Sequence, residues 1–304
     1  MNIFRKKAQT WCKKNITFLN FAVLLIIVGF LFFILICKQY FKPFSTLDSK
    51  TASELGGFIG GFVGTFWSAA TVILIYITFK KQSEFNKKQQ FESYFFNMLN
   101  TFNSIIDKFK INATSSRHDE CFGRDCFSVI LNEFKHDTTF NSLNYLYQNE
   151  DIPEIKNFKN GGGKSLEELR DFLIILNMGN KLSDEFIIAH YEVYYELFKK
   201  MLGYYFRYLY NIFKYIIEEN QNEEDIRRYL NIVQSQMSSD ELGLLFYYAL
   251  SKYSETKNGE KQLYSWLEEY DFLENMDSDS LMKKEHHKYY KTKFKFLIEE
   301  EKEQ

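Results

Sequence analysis

The segment NGGGKSLEEL at residues 160–169 has the residue types of a phosphate-binding loop, because three glycines precede Lys164 and Ser165. Such a loop needs a glycine, four residues and then Gly-Lys-Ser, directly after a buried strand. The required first glycine would stand at position 158, which is a phenylalanine, and the residues before it do not form a strand pattern. Ser165 and Glu168 instead fit the S-x-x-E capping box that begins a helix, and Ser238 and Glu241 form the same pattern further along the chain. The segment therefore predicts a helix start and no nucleotide site.

Two cysteines and two histidines form a second group of side chains that could do chemistry. His118, Cys121, Cys126 and His136 are ligand types that zinc accepts. Their gaps of two, four and nine residues match no standard paired-ligand spacing. We expect no metal site and no bound cofactor in this segment.

Signatures of catalysis are weak along the whole sequence. Neither G-x-S-x-G nor H-E-x-x-H occurs. Small helical ribonucleases of one type have an arginine and a histidine separated by four to six residues, but positions 212–214, where that histidine would follow Arg207, hold isoleucine, phenylalanine and lysine. His190, in FIIAHYEVYY, is expected to be a core or half-buried histidine. We predict no catalytic residue, and the sequence leans away from an enzyme.

One polar stripe is a candidate binding face. The pattern predicts helix through residues 183–217, and within it Arg207, Asn211 and Lys214 stand at i, i+4 and i+7 on one side. This side could bind an anionic ligand or a partner protein. It could equally be a solvated face whose long side chains shield the core, and the spacing leaves both interpretations open.

Two uncharged apolar runs precede these elements, at residues 16–37 and 55–79. Each is long enough to cross a bilayer, for which about 20 residues are needed. The first run follows five basic residues, as a signal peptide would, but it is longer than a usual signal core and lacks a small-x-small cleavage site. We therefore expect two transmembrane helices.

Glycines are concentrated at the start of the second run. Gly56, Gly60 and Gly64 recur every four residues, with Gly57 and Gly61 beside them. Small residues at this spacing let another helix backbone approach closely. The face could mediate oligomerisation, or it could pack against the first span within a hairpin.

Basic residues near the ends of the runs predict the orientation. Five lie in the N-terminal segment 1–15, four lie just after the second run, and three lie in the loop 38–54. Since basic residues favour the cytoplasmic side, we expect a two-pass protein of the bacterial inner membrane with both termini cytoplasmic and the 38–54 loop outside.

The rest of the chain is expected to be helical, which makes the fold class all-α with an N-terminal hairpin and a cytosolic domain. Residues 80–110 carry an apolar heptad seam, at Phe91, Phe95, Met98, Phe102, Ile105 and Phe109, that predicts an amphipathic helix beside the membrane. Residues 111–164 read as loop-rich and 165–304 as a helical domain. Lys and Arg number 38 against 40 Asp and Glu, so there is no strong nucleic-acid signal.

The chain resembles the phage abortive infection protein family in five segments that occur in that family's order. They are GTFWSAATVILIYITFKKQ, FESYFFNMLNTFNSII, YYFRYLYNIFKYI, YLNIVQSQMSSDELGLLFYYALS and LEEYDFLENM. The resemblance spans roughly residues 55 to 276. It implies an anti-phage role at the inner membrane of a bacterium, in which the infected cell is arrested or killed.

Three hypotheses for the mechanism follow. In the first, the helical domain senses infection and the glycine-lined spans act as effector, by oligomerisation or membrane perturbation. In the second, the spans only locate an enzyme, most plausibly a nuclease. In the third, the chain is a sensor or scaffold for a separate effector. The expected partners are the lipid bilayer, further copies of the chain, and a phage component or a partner defence protein.

Overall fold

The protein is predominantly helical. The computed structural model describes residues 2–40, 49–112, 120–136, 140–148, 151–178, 181–220 and 222–303. The chain is 79% helical, and its described residues contain one two-stranded antiparallel sheet. The prediction of an all-α fold is confirmed. Positions 41–48 of the loop expected outside the membrane, residues 38–54, lie outside the described residues.

The chain divides into two compact units, Met1–Glu92 and Ser93–Gln304. The first unit contains α1 (Asn2–Tyr40), α2 (Ser49–Phe58), a π-helical turn (Ile59–Val63) and the first part of α3 (Gly64–Ile106). The apolar run 16–37 lies in α1, and the run 55–79 spans α2, the π-helical turn and the start of α3.

Among the described residues, two helices are long and apolar enough to cross a membrane. They are Thr17–Ile36, with a mean hydropathy of 3.0, and a window within Ala52–Ile106, with a mean hydropathy of 1.9. Only 11% of each window is buried. The long apolar side chains of these helices therefore point mainly away from the protein, unlike those of a core helix.

Contact within the first unit depends on a few close approaches. A Cβ atom at Gly29 would lie 2.7 Å from Nε1 of Trp67, so α1 and α3 meet closely only because position 29 has no side chain. Phe32 packs edge-on against Phe62, with ring centroids 5.4 Å apart. The hairpin is held by aromatic packing and by this one glycine.

The second unit holds the end of α3 and the remaining elements. These are β1 (Lys110–Ile111), β2 (Cys121–Phe122), α4 (Asp125–His136), α5 (Phe140–Gln148), α6 (Pro153–Asn160), α7 (Leu166–Met178), α8 (Asp184–Glu219), α9 (Glu223–Gln234), α10 (Ser239–Leu250), α11 (Gln262–Glu269) and α12 (Lys295–Glu303). The segment 111–164, expected to be loop-rich, thus contains three short helices in its described parts. One side of α4 is apolar and buried, and it includes Phe127, Ile130 and Phe134.

Helix starts in this unit follow the capping patterns of the sequence. Ser165 Oγ accepts the N–H of Glu168, and a Glu168 carboxylate oxygen accepts the N–H of Ser165, at 3.1 and 3.3 Å. Ser238 and Glu241 make the same reciprocal pair before α10. Both predicted capping boxes are confirmed, and the glycines before Ser165 form a turn in which Gly162 has a positive φ of 91°.

Helix α8 is the centre of the second unit, since α4, α5, α6, α9 and α10 all pack against it. Aromatic side chains fill the space between these helices. The ring of Tyr205 lies 4.9 Å from that of Phe102 and 4.8 Å from that of Phe127, while Phe206 and Tyr248 stack at 4.1 Å. The core around α8 therefore accounts for part of the high Phe and Tyr content, while other aromatic side chains, such as Phe21 and Tyr76, are exposed.

Candidate functional site

The predicted binding face lies on the exposed side of α8. Arg207, Asn211 and Lys214 are all exposed. Arg207 Nε donates a 2.8 Å hydrogen bond to the carbonyl oxygen of Gly203, one turn earlier in the same helix. Lys214 Nζ lies 3.8 Å from the carboxylate of Glu218. The structure thus presents the three side chains in one row towards solvent, where a ligand can reach them.

The glycine face of the first unit is also open. A Cβ atom added at Gly56, Gly57, Gly60 or Gly61 would meet nothing within 4 Å, and one at Gly64 would meet only a backbone oxygen 3.9 Å away. The close approach of α1 to α3 occurs instead at Gly29. The five clustered glycines are consequently not occupied by the contact between the two apolar helices.

A buried ion pair that no local sequence pattern predicts lies at the start of α10. Nη1 of Arg124 is 2.5 Å from a carboxylate oxygen of Glu241, whose side chain is fully buried, and Nη2 donates a 2.9 Å hydrogen bond to the Asn103 side chain. Arg124 itself is 36% exposed. The guanidinium therefore links α3, the turn before α4 and α10 while keeping one edge near solvent.

The environment of Glu241 opposes its ionisation. Burial raises the pKa of this carboxyl to about 7, although the charge of Arg124 and the N–H of Ser238 favour the ionised form. Loss of water around the carboxylate thus outweighs a cation in direct contact. Next to it, Ser128 Oγ donates to the carboxylate of Asp240, so two adjacent acids of α10 both bind groups on or next to α4.

Two buried histidines serve the core. Nε2 of His190 lies 3.1 Å from the carbonyl oxygen of Phe134, which confirms the expectation of a core histidine. The Tyr247 hydroxyl lies 2.7 Å from Nδ1 of His286 and accepts the N–H of Met282 at 2.8 Å. Burial, together with the nearby charge of Lys283, lowers the pKa of His286 to about 4. His286 is therefore neutral near pH 7 and positions the chain after α11.

Cys121 and Cys126 lie together, on β2 and in the first turn of α4. Both are free and buried, and their sulfur atoms are 3.3 Å apart. Burial and the hydrogen bond with Cys121 raise the pKa of Cys126 to about 12. His118 and the side chain of His136 lie outside the described residues. Among the described side chains, no group of three or more His, Cys, Asp or Glu residues could hold a metal ion.

Comparison with known proteins gives one match. The model of the family described as "Putative phage abortive infection protein" matches residues 197–281. This confirms the resemblance over that segment, which runs from the middle of α8 through α11 and includes Arg207 and Glu241. The match covers less than a third of the chain and neither apolar helix. No curated protein and no solved structure matches the chain.

Proposed function

We propose that this chain, in which residues 197–281 resemble phage abortive infection proteins, is an anti-phage defence protein anchored in the bacterial inner membrane. The family match carries the defence role. The anchor is supported by the two apolar helices, whose side chains are mainly exposed. Exposed apolar area is unfavourable in water and favourable in lipid, so a bilayer is the environment that suits these helices.

The orientation of the proposed anchor follows from charge. Basic residues are most numerous before the first apolar helix and after the second, and such residues favour the cytoplasmic side. Both termini are therefore cytoplasmic, and the Ser93–Gln304 unit lies where phage components are made. In this proposal that unit receives the infection signal.

The effector step uses the glycine face. Gly56, Gly57, Gly60 and Gly61 have open space where a side chain would be. Within a bilayer, helices associate mainly by close van der Waals packing, which such a surface permits. A second copy of the chain packs on this face, and the assembled helices perturb the membrane. The π-helical turn at Ile59–Val63 supports a functional role, because such turns are frequent at functional sites.

A charge placed inside both apolar helices is expected to abolish defence. Ile27 and Val72 are 50% and 65% exposed, so an Ile27→Asp/Val72→Asp chain loses few protein contacts, while each aspartate opposes insertion by about 3 kcal/mol. We expect it to be released from membranes by alkaline carbonate and to raise phage plaque counts about tenfold over the unchanged chain.

The matched control for this experiment is Ile27→Leu/Val72→Leu, which keeps both helices apolar and is expected to defend as the unchanged chain does. Full defence by a released aspartate variant would show that the bilayer is not needed. If the unchanged chain reduces plaques of none of the phages in a broad panel, the anti-phage role itself is wrong.

Filling the glycine face is expected to separate oligomerisation from insertion. Gly57→Leu/Gly61→Leu adds side chains where nothing lies within 4 Å, so each copy keeps its own fold and only the approach of a second helix is blocked. We expect chemical cross-linking in membranes to give about tenfold less dimer, with a parallel loss of defence. Ala69→Leu, at an exposed position on α3 within the same apolar run, serves as the control for added volume. Unchanged cross-linking in the double variant would remove the glycine face from the proposal.

A further inference from the structure

We infer that α8 carries a docking site for an acidic amphipathic helix of another protein. Six exposed side chains follow one another at spacings of three and four residues, which is the repeat that faces a partner in helix pairing. This α8 seam consists of Leu197, Lys200, Tyr204, Arg207, Asn211 and Lys214. The inference does not depend on the membrane role, and the seam lies wholly within the segment that resembles the abortive infection family.

The cations of the seam define the charge of its occupant. Lys200, Arg207 and Lys214 recur every seven residues, about 10.5 Å apart along one side of the helix. Among the ion pairs of the described residues, Lys200 and Arg207 have no carboxylate partner, and the contact of Lys214 with Glu218 is long, at 3.8 Å. Carboxylates at the same heptad spacing on a facing helix would meet all three.

The apolar members of the seam define the rest of the occupant. Leu197 is 48% and Tyr204 is 51% exposed, although both are large. Half-buried Met201, Tyr208 and Tyr215 continue the apolar surface along one edge. Such a mixed surface suits an amphipathic helix better than a phosphate backbone, which would satisfy the cations and leave these side chains in water. The seam is about 26 Å long and accommodates about five helical turns.

Two copies of this chain do not pair well through their seams. In a parallel pairing each cation would face the same cation of the second copy. In an antiparallel pairing centred on Arg207, that arginine would face itself and Lys200 would face Lys214. Like charges brought together in this way disfavour association. Self-pairing of the seam is therefore disfavoured, and the occupant that we infer is a segment of a different protein, whereas the glycine face is proposed to bind a second copy.

Photo-cross-linking from the centre of the seam tests this inference. Tyr204 is replaced by a photoreactive phenylalanine in the full chain, cells are illuminated before and during infection, and the attached peptide is sequenced. We expect a segment of another protein with acidic residues at heptad spacing. A triple charge reversal, Lys200→Glu/Arg207→Glu/Lys214→Glu, is expected to lower the yield of the cross-linked peptide about tenfold. The conservative change Arg207→Lys should keep most of that yield.

Lys257→Glu, at an exposed cation outside the seam, is the control and is expected to leave the yield unchanged. The inference is overturned by attachment to nucleic acid, to lipid, to a second copy of the chain or to a segment without heptad acids. It is also overturned by a yield that the triple charge reversal does not lower, or by the absence of any adduct in both conditions.

Discussion

Replacing Glu241 with alanine is expected to lower the free energy of unfolding of the Ser93–Gln304 unit by about 3 kcal/mol. The substitution leaves the guanidinium of Arg124 partly buried with only Asn103 as partner. It also removes the carboxylate that accepts the N–H of Ser238 in the capping box of α10. One change therefore breaks a buried ion pair and a helix cap, and each of these losses is destabilising.

Urea unfolding followed by the fluorescence of Trp266 measures this loss, in a full chain whose other two tryptophans are replaced by phenylalanine. Trp266 lies in the second unit and is buried, so its signal reports that unit. Glu241→Gln keeps the size and an acceptor oxygen and should cost less than about 1 kcal/mol. A loss for Glu241→Ala no greater than that for exposed Glu260→Ala would mean that the ion pair contributes nothing.

The pH dependence of the same residue gives an independent check. Burial raises the pKa of Glu241 to about 7 from an ordinary value of 4.5, so the folded chain holds this proton at a pH where the unfolded chain has released it. The stabilisation from this carboxyl is complete below about pH 4.5 and is lost as the pH rises through about 7. The difference in stability between the unchanged chain and Glu241→Gln should follow this curve.

Enlarging Gly243 is expected to destabilise the second unit progressively, by about 1 kcal/mol for alanine and about 3 kcal/mol for leucine. A Cβ atom at this position would lie 2.8 Å from the carbonyl oxygen of Ser280, 2.9 Å from its Cβ and 3.2 Å from Leu131. Because a backbone atom is the nearest neighbour, α10 or the turn at Ser278–Ser280 must move to make room.

Helix propensity alone predicts that Gly243→Ala stabilises the chain, so the measured change in stability distinguishes the two effects. Glycine within a helix is less favourable than alanine by about 1 kcal/mol, so Gly243→Ala would stabilise the chain if the space were open. Unfolding followed by Trp266 distinguishes the two outcomes. Ser280→Gly removes one of the obstructing atoms and should restore part of the stability lost in Gly243→Ala. Stabilisation by alanine would show that the close approach is absent.

Local patterns in the sequence predict local structure well in this protein. The two capping boxes and the helical class are confirmed because each depends on residues within one or two turns of one another. The contacts of Gln234 are not local in this way, because its side chain donates to the carbonyl oxygen of Phe272 and accepts from Asn275. These hydrogen bonds depend on where the chain after α11 packs, which no local spacing in the sequence specifies.

The Arg124–Glu241 pair could not be predicted for the same reason. The sequence identified Glu241 as a capping residue, but its cation lies 117 positions away in a segment that read as loop. With 40 acidic residues in the chain, no single Arg–Glu combination stands out. Only the packing of α3, α4 and α10 around α8 brings Arg124 and Glu241 together. The same packing leaves the six side chains of the α8 seam exposed, which the sequence did not show.

The π-helical turn at Ile59–Val63 has a consequence for how related chains are aligned and altered. A wide turn accommodates one more residue than an α-helical turn of the same height. Deleting Gly60 or Gly61 should convert the stretch to regular helix and leave all following side chains at nearly the same angle around the axis, because the extra residue of the wide turn is the one removed. Trp67 would then stay next to Gly29. A single-residue gap in this part of an alignment therefore marks the loss of the π-helical turn rather than a rotation of the helix that follows.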